Sequence, residues 1–163
     1  MAKCKSFKPS INDFSTILIL GSMPGVKSLE QQQYYAHPQN RFWKVMAILC
    51  NTPELPSMAY PAKLEILLKN KIALWDTIKY CERDGSLDSK IEKEIPNNIS
   101  SLVKKYPNIK TICLNGNKSY SMFKKHFPQM LQSFNCINLP STSPANARYR
   151  MEDLVNEWQR ILN

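Results

Sequence analysis

The segment YYAHPQNRFW, residues 34–43, combines several aromatic rings with an amide, a guanidinium and an imidazole. A buried core rarely contains this mixture and a solvent loop rarely contains so many rings, so the composition favours a surface that both stacks and hydrogen-bonds. The carbonyl oxygen of Asn40 is able to orient a water molecule, and Asn40 also suits the N-cap of the helix predicted after it. The two roles are compatible, because a helix N-terminus is electropositive. Phe42 and Trp43 are expected to be buried.

A second candidate is Asp76, which directly follows the apolar run of residues 71–75. A carboxylate held at the end of a buried strand is able to accept a hydrogen bond from a ring N–H. It equally suits the cap of a turn, and for an isolated aspartate the capping interpretation is favoured. Farther along the same segment, Arg83, Asp84 and Asp88 predict a solvated loop.

Two further segments are rich in small polar residues. GSMPG, residues 21–25, has glycines at both ends, which allow backbone conformations that a Cβ resists. It is neither the GxGxxG fingerprint nor a phosphate loop, and alone it predicts a tight turn. PSTSPAN, residues 140–146, carries three hydroxyls that suit phosphate binding, and Arg148 follows it. Alone it predicts a turn that caps the last helix.

All these segments follow short apolar runs that predict strands. The runs cover residues 16–20, 71–75, 110–114 and 136–139. Helical periodicity predicts helices between and after them, most clearly over residues 151–162. Apolar strands that alternate with helices indicate a three-layer α/β/α domain with a central, mainly parallel four-stranded sheet. Ligands bind at the carboxyl ends of such strands, so the loops there predict one site. The first of these loops has about twenty residues, a length typical of functional loops.

The composition narrows the class of protein. A length of 163 residues predicts one domain over 1–163, with residues 1–14 peripheral. The net charge of +9 favours a polyanionic partner, nucleic acid first and a membrane surface second, although many soluble proteins are merely basic. The longest apolar run, residues 16–20, is far too short to span a bilayer, and the first residues do not resemble a signal peptide.

Five cysteines without a CxxC pair, together with only two histidines, argue for reduced thiols and against a metal or iron–sulfur site. We therefore expect no metal, no cofactor, no membrane association and a cytoplasmic location.

Four motifs occur in a fixed order along the chain: GSMPG, SLxxxxYYAHPxNxFW, ALWDxxxxCxRxGSLD and STSPAN. Together they resemble the uracil-DNA glycosylase superfamily, with GSMPG at the place of its first motif and STSPAN at the place of its second. The segment YAHPQNRFWKVM is similar to one in the mismatch-specific (G:T/U) branch. The complete set is more similar to the hypoxanthine (deoxyinosine) DNA glycosylase branch, and the resemblance covers residues 15–160.

The resemblance implies hydrolysis of the N-glycosidic bond of a deaminated base, hypoxanthine above all, in a nucleotide flipped out of DNA. Most of the superfamily has Asp or Asn at the third position of the first motif to orient the attacking water, whereas this chain has Met23. In the hypoxanthine branch an Asn of the HPxN segment takes over, which assigns catalysis to Asn40. Ser141 stands where uracil-specific branches have His or Asn, so strong uracil excision is not expected.

By homologous position, Tyr35 is expected to stack on the flipped base. Asp76 is expected to read the base edge, because hypoxanthine has an N1–H donor where adenine has a bare acceptor. Ala145 and Asn146 occupy the place where relatives insert a wedge into the vacated stack. The remaining expected base-binding residues are Gly21, Ser22, Met23 and Gly25, and the remaining expected DNA-binding residues are Ser141, Thr142, Ser143 and Arg148. Backbone N–H groups of GSMPG are expected to hydrogen-bond the departing base.

Three alternatives stay open. The first is an enzyme of the same fold that acts mainly on uracil or thymine opposite guanine. The second is a basic DNA-binding module that has lost catalysis, and the third, disfavoured by the missing phosphate-loop glycines, is a nucleotide-metabolising enzyme. Since no lysine stands out as a nucleophile, we expect a monofunctional glycosylase, acting as a monomer on DNA that contains deaminated bases.

Overall fold

Strands and helices alternate along residues 2–162, the part of the chain that this computed structural model describes. The strands are β1 (Lys3–Lys5), β2 (Ile17–Gly21), β3 (Ile72–Asp76), β4 (Ile78–Glu82), β5 (Glu92–Pro96), β6 (Thr111–Asn115) and β7 (Asn135–Leu139). The helices are α1 (Val26–Gln31), α2 (Phe42–Leu49), α3 (Tyr60–Lys69), α4 (Ile99–Lys105), α5 (Asn117–His126), α6 (Met130–Ser133) and α7 (Met151–Trp158). Short 3-10 turns cover Leu55–Ser57, Asp88–Lys90 and Gln159–Leu162.

Four parallel strands form the central sheet in the order β3-β2-β6-β7. Ile17 of β2 lies opposite Ile72 of β3 on one side and opposite Thr111 of β6 on the other. The sequence predicts all four strands to within one residue of their ends, because each is a short apolar run that is buried on both faces. The expected α/β class with a mainly parallel four-stranded sheet is confirmed.

Helices cover both faces of this sheet. One face presents Ile19 and Leu74 to α2, α3 and α7, whose Phe42, Trp43 and Trp158 are buried in the same cluster. The other face presents side chains such as Leu18 to α4, α5 and α6. Successive residues of a strand point to opposite faces, so each continuous apolar strand supplies both clusters. The three-layer α/β/α arrangement is therefore confirmed, as is the burial expected for Phe42 and Trp43.

A second, antiparallel sheet departs from the sequence prediction. Its central strand is β4, which pairs with β1 and with β5, and Cys4 lies opposite Cys81. These strands carry lysines and glutamates between few apolar residues, which is why the sequence predicts only a loop over residues 76–90. The segment expected to be peripheral, residues 1–14, supplies β1, and its Ser10 forms an isolated bridge with Leu74. Met1 lies outside the described residues.

Two smaller departures concern helices. The twenty-residue loop expected after β2 contains α1, a helix too short for its periodicity to be read from the sequence. The last helix, predicted to reach residue 162, ends as an α-helix at Trp158 and continues as a 3-10 turn. Along residues 2–162 there is no helix with both the length and the apolar character needed to cross a membrane.

Candidate active site

A cavity of about 680 Å³ opens at the carboxyl ends of the parallel strands. This volume lies within the range of sites that bind small molecules or single residues of a polymer. The loops that follow β2, β6 and β7 line it, together with the β4–β5 loop and the segment before α2. Every site residue expected from the sequence lies in its wall: Gly21, Ser22, Met23, Gly25, Tyr35, Asn40, Asp76, Ser141, Thr142, Ser143, Ala145, Asn146 and Arg148.

Asp76 lies at the buried end of the cavity, as the last residue of β3. Its side chain is buried, and Oδ2 has no hydrogen-bond partner among the described residues. Burial raises the pKa of Asp76 to about 7; the negative charge of Asp88 adds to the rise and the guanidinium of Arg83 opposes it. The carboxyl group therefore changes between an acceptor and a donor near neutral pH. Its side chain does not cap a turn, because no described backbone N–H donates to it, whereas its backbone oxygen accepts from Nδ2 of Asn97 at 2.8 Å.

Tyr35 supplies an aromatic wall. Its ring stacks on Phe42 with the centroids 3.9 Å apart and an angle of 19° between the planes. The residue has a φ of 57°, a left-handed conformation that is uncommon for an aromatic residue and needs support from its surroundings. Its hydroxyl oxygen is buried and unpaired in the described part of the chain. Burial, and then the charge of Asp76, raises the pKa of Tyr35, so the hydroxyl keeps its proton.

Asn40 lies one residue before the helix cap. The N-cap of α2 is Arg41 rather than Asn40, but Oδ1 of Asn40 accepts a hydrogen bond from the backbone N–H of Phe42 at 2.9 Å. The side chain of Asn40 therefore binds the first turn of α2, as a cap does, but the N-cap position itself belongs to the next residue, Arg41. An amide oxygen has two lone pairs, so Oδ1 is still able to bind a water molecule while it holds the helix end. His37, on the same segment, is exposed and accepts from the backbone N–H of Gln39 through Nδ1.

Arg41 joins this segment to the loop after β7, a role that the sequence does not reveal. Its guanidinium donates to the backbone oxygen of Tyr149 and, at 3.0 Å, to that of Asn146. Its backbone N–H donates to the oxygen of Thr142 at 3.1 Å. The segment of residues 34–43 and the loop after β7 are thus one connected unit. The only sequence signal is the arginine between Asn40 and an apolar helix.

The loop after β7 is also held from inside the sheet. Asn115, at the end of β6, accepts from the backbone N–H of Thr142 and donates through Nδ2 to its hydroxyl, both at 3.1 Å. The hydroxyl of Thr142 is therefore buried and occupied. The hydroxyls of Ser141 and Ser143 accept backbone N–H groups within the loop, those of Ser143 and Ala145 respectively, and are closer to the surface.

Arg83 and Asp88 do not belong to a solvated loop, which corrects the sequence prediction. Arg83 is only 1% exposed; its guanidinium donates to the oxygen of Pro24, and Nε and Nη1 have no partner among residues 2–162. Asp88 lines the cavity and accepts from the hydroxyl of Ser22 at 2.7 Å. Burial raises the pKa of Asp88. Asp84 alone is exposed, as expected, and accepts from the N–H of Ala2.

The site thus combines an aromatic wall, a buried carboxyl with a free oxygen and an amide that is able to hold water. Such a set suits a planar, polar ring with hydrogen-bonding groups at its edge. In the described chain, no three His, Cys, Asp or Glu side chains are grouped so that they could hold a metal ion.

Comparison with known proteins agrees with this chemistry. The family model of the uracil DNA glycosylase superfamily matches residues 9–162. A hypoxanthine DNA glycosylase of Methanosarcina acetivorans is 36% identical over 159 residues, which are 96% of each chain. A protein of the same name from Methanosarcina barkeri is 43% identical over 117 residues, 72% of this chain and 73% of that one.

A solved structure extends the agreement to three dimensions. The solution NMR structure of a candidate uracil DNA glycosylase from Methanosarcina acetivorans superposes with a TM-score of 0.84 and 33% identity, over 99% of this chain and 100% of that one. Sequence, fold and the placement of the motifs around one cavity lead to the same conclusion, which confirms the resemblance: the chain belongs to the uracil-DNA glycosylase superfamily.

Proposed function

We propose that this protein removes hypoxanthine from DNA by hydrolysing the N-glycosidic bond of deoxyinosine. Membership of the superfamily makes the chain a DNA glycosylase, a hydrolase of N-glycosyl bonds. The relatives named hypoxanthine DNA glycosylase support the choice of base. The observation that carries the proposal is the buried carboxyl of Asp76 with its unpaired oxygen at the end of the cavity.

Asp76 reads the base through one hydrogen bond. The ionised carboxylate accepts from N1–H of hypoxanthine. Adenine has an unprotonated N1 at the same place, and it would face the carboxylate with two acceptors and no proton between them. A site whose buried polar group stays unpaired with the wrong ligand discriminates strongly.

Tyr35 provides the face against which the flipped base stacks, and Phe42 supports the tyrosine from behind. Base–aromatic stacking contributes roughly 1–3 kcal/mol. The stack on Phe42 holds this ring before the substrate arrives, so little ordering remains when the base enters.

Asn40 orients the attacking water with the lone pair of Oδ1 that Phe42 leaves free. If the transition state resembles an oxocarbenium ion, as for other glycosides, a weak nucleophile is sufficient. Negative charge then develops on the departing base. The backbone N–H groups of Ser22, Met23 and Gly25 donate to no other described residue, and they are the groups we assign to that charge.

The rim of the cavity binds the DNA strand. The hydroxyls of Ser141 and Ser143 and the exposed guanidinium of Arg148 contact the phosphates beside the flipped nucleotide. The net charge of +9 favours this association over the whole surface. We assign no lysine to strand cleavage, so the product is an intact strand with an abasic site. A cytoplasmic monomer is the form in which we expect the protein to act.

The test is excision from labelled duplexes that contain deoxyinosine, deoxyuridine or a G:T mismatch, followed by alkaline cleavage of the abasic site. We expect release of hypoxanthine, weaker release of uracil and strand breaks only after alkali. Release of uracil with deoxyinosine untouched would overturn the choice of base. Tight DNA binding with no excision of any base would overturn the assignment of activity.

Uracil is the second candidate, on a specific observation. The N3–H of uracil also donates a hydrogen bond that the carboxylate of Asp76 is able to accept. The carboxylate therefore excludes adenine but not uracil. The ratio of the two excision rates therefore measures what the rest of the cavity contributes.

A further inference from the structure

A glycosylase must keep the DNA stack from closing while the nucleotide is outside it. Proteins that open base steps commonly insert an apolar side chain between them. The place expected from the sequence is not suited to this task. Ala145 has only a methyl group, and Nδ2 of Asn146 is bonded to the backbone oxygen of Ser141 at 3.0 Å.

Among residues 2–162, few large apolar side chains are exposed, and two of them line the cavity. Leu87, in the β4–β5 loop, is 51% exposed, and Val26, at the start of α1, is 40% exposed. The other large apolar side chains on the described surface lie away from the cavity wall: Phe14, Ile48, Tyr80, Ile95 and Leu162.

Leu87 is held in place by both of its neighbours. The hydroxyl of Ser86 accepts from the backbone N–H of Val26 at 2.8 Å, and the carboxylate of Asp88 accepts from the hydroxyl of Ser22 at 2.7 Å. Gly25 permits this close approach, because a Cβ there would lie 3.2 Å from Oγ of Ser86. An exposed leucine at a loop tip would ordinarily move, whereas this one is fixed on each side to the loop after β2.

The first of these bonds ties the backbone of Val26 to Ser86, the residue before the leucine. Buried Arg83 adds a third connection, because its guanidinium donates to Pro24 in the same loop. Lys27 follows Val26 at the rim; it is exposed and lies 3.7 Å from Glu30, a surface ion pair that leaves its ammonium group accessible to a phosphate. The occupant that fits an apolar side chain, fixed beside a base-sized cavity with an exposed lysine at its rim, is the base stack of duplex DNA.

We propose that Leu87, supported by Val26, is the wedge of this enzyme, which enters the duplex at the step that the flipped nucleotide vacates. The inference rests on the proposed DNA glycosylase activity and assigns a residue that the two superfamily motifs do not contain. The wedge comes from the hairpin of the second sheet, and it lines the same cavity as the loop after β7.

The test compares Leu87→Ala with Leu87→Met. The control is Ile48→Ala, which removes a side chain of similar exposure (53%) on α2, away from the cavity. Single-turnover excision is measured on deoxyinosine in a fully paired duplex and in a duplex where it lies in an unpaired bubble. A bubble needs no wedge, because its bases are already unstacked. Thermal melting of each variant checks that it is folded.

We expect Leu87→Ala to lower excision from the paired duplex roughly 10-fold, as for the loss of most of one buried leucine. The bubble substrate is expected to change less than about twofold, and Leu87→Met and Ile48→Ala to stay close to the parent on both. An unchanged rate on the paired duplex, or an equal fall on both substrates, would overturn the proposal.

A second measurement tests the unstacking of DNA by Leu87 independently of base excision. A duplex with 2-aminopurine beside a non-cleavable 2′-fluoro-deoxyinosine reports unstacking as a rise in fluorescence on binding. We expect the rise to be reduced in Leu87→Ala. If the parent enzyme removes no hypoxanthine, the proposed function fails, yet this fluorescence still tests the wedge. A full rise with Leu87→Ala would contradict it.

Discussion

Gly21 and Asp76 lie opposite each other at the ends of neighbouring parallel strands, so close that a Cβ on Gly21 would lie 2.6 Å from Oδ1 of the aspartate. This added Cβ would also lie 3.2 Å from the hydroxyl oxygen of Tyr35. The glycine therefore leaves the carboxyl of Asp76 and the ring of Tyr35 the space they occupy.

Gly21→Ala should displace Asp76, because a contact of 2.6 Å between the new Cβ and the carboxyl oxygen of a buried residue cannot persist. We expect excision of hypoxanthine to fall more than about 10-fold, with a stability loss of about 1–3 kcal/mol from overpacking. Single-turnover kinetics and thermal melting measure the two effects. Full activity in this variant would show that Asp76 does not need its present position.

The activity should depend on pH through Asp76. Its pKa is raised to about 7, and only the ionised form accepts from N1–H of hypoxanthine. We expect kcat/KM, which reports groups of the free enzyme, to fall as the pH drops below about 7. Asp76→Asn should flatten this limb and weaken the rejection of adenine, since an amide is able to offer N–H to the adenine N1. A limb that survives in Asp76→Asn would assign the titration to another group, with Asp88 the first to be examined.

Asp76 should also lower the stability of the fold at neutral and alkaline pH. Between the unfolded value of 3.8 and the folded value of about 7, the folded state binds a proton that the unfolded state has lost, so stability decreases as the pH rises through this window. We expect Asp76→Asn to increase the free energy of unfolding by about 1–3 kcal/mol at pH 8, which appears as a higher Tm, and to increase it less at pH 5. The exposed Asp13→Asn is the control. A Tm gain that is the same at both pH values would show that burial of charge is not its cause.

Asn40→Ala should separate catalysis from binding. We expect excision to fall at least about 100-fold, the order of effect for a group that positions or activates a nucleophile. Loss of the bond to the N–H of Phe42 should cost about 1 kcal/mol of stability. Asn40→Asp keeps an oxygen for both partners and should retain more activity. Fluorescence anisotropy with labelled duplex should give a Kd within a few-fold of the parent, and a large loss of affinity would point to a structural role instead.

Arg41→Lys should loosen the loop after β7, because one ammonium group cannot replace two guanidinium bonds to Tyr149 and Asn146. We expect weaker DNA binding, by about 1–3 kcal/mol, with a smaller change in the rate at saturation. Hydrogen exchange should become faster over residues 141–149 and stay unchanged in α5. If the rate at saturation falls while Kd and exchange do not change, Arg41 acts on the chemistry and not on the loop.

The parallel sheet could be predicted from the sequence because its signals are local. Runs such as residues 16–20 are short and apolar on both faces, which is typical of a parallel strand covered by helices on both sides. The loops that follow these strands must then meet at one edge, so the grouping of Asp76, Asn40 and the Ser141 loop around one cavity follows from topology alone.

The second sheet and its contacts could not be predicted, since their signals are not local. Strand β1 pairs with β4 across more than seventy positions of sequence, and neither strand has an apolar face long enough to stand out. Because the hairpin is not recognised in the sequence, the polar segment that contains Arg83 and Asp88 predicts a solvated turn. Their hydrogen bonds are to Pro24 and Ser22, which are 59 and 66 positions away in the sequence.

The position of the β4–β5 hairpin in the chain has a consequence for how such enzymes diversify. It is one continuous insertion between β3 and α4, yet its tip holds both the acid beside the base-reading carboxyl and the exposed leucine at the rim. Asn40 and the hydroxyls of Ser141 and Ser143 belong to other segments, and Asp76 itself lies on β3. Exchanging this single hairpin between relatives would therefore change the proposed wedge and the pKa of Asp76 together, while Asp76, Asn40 and the parallel sheet stayed as they are.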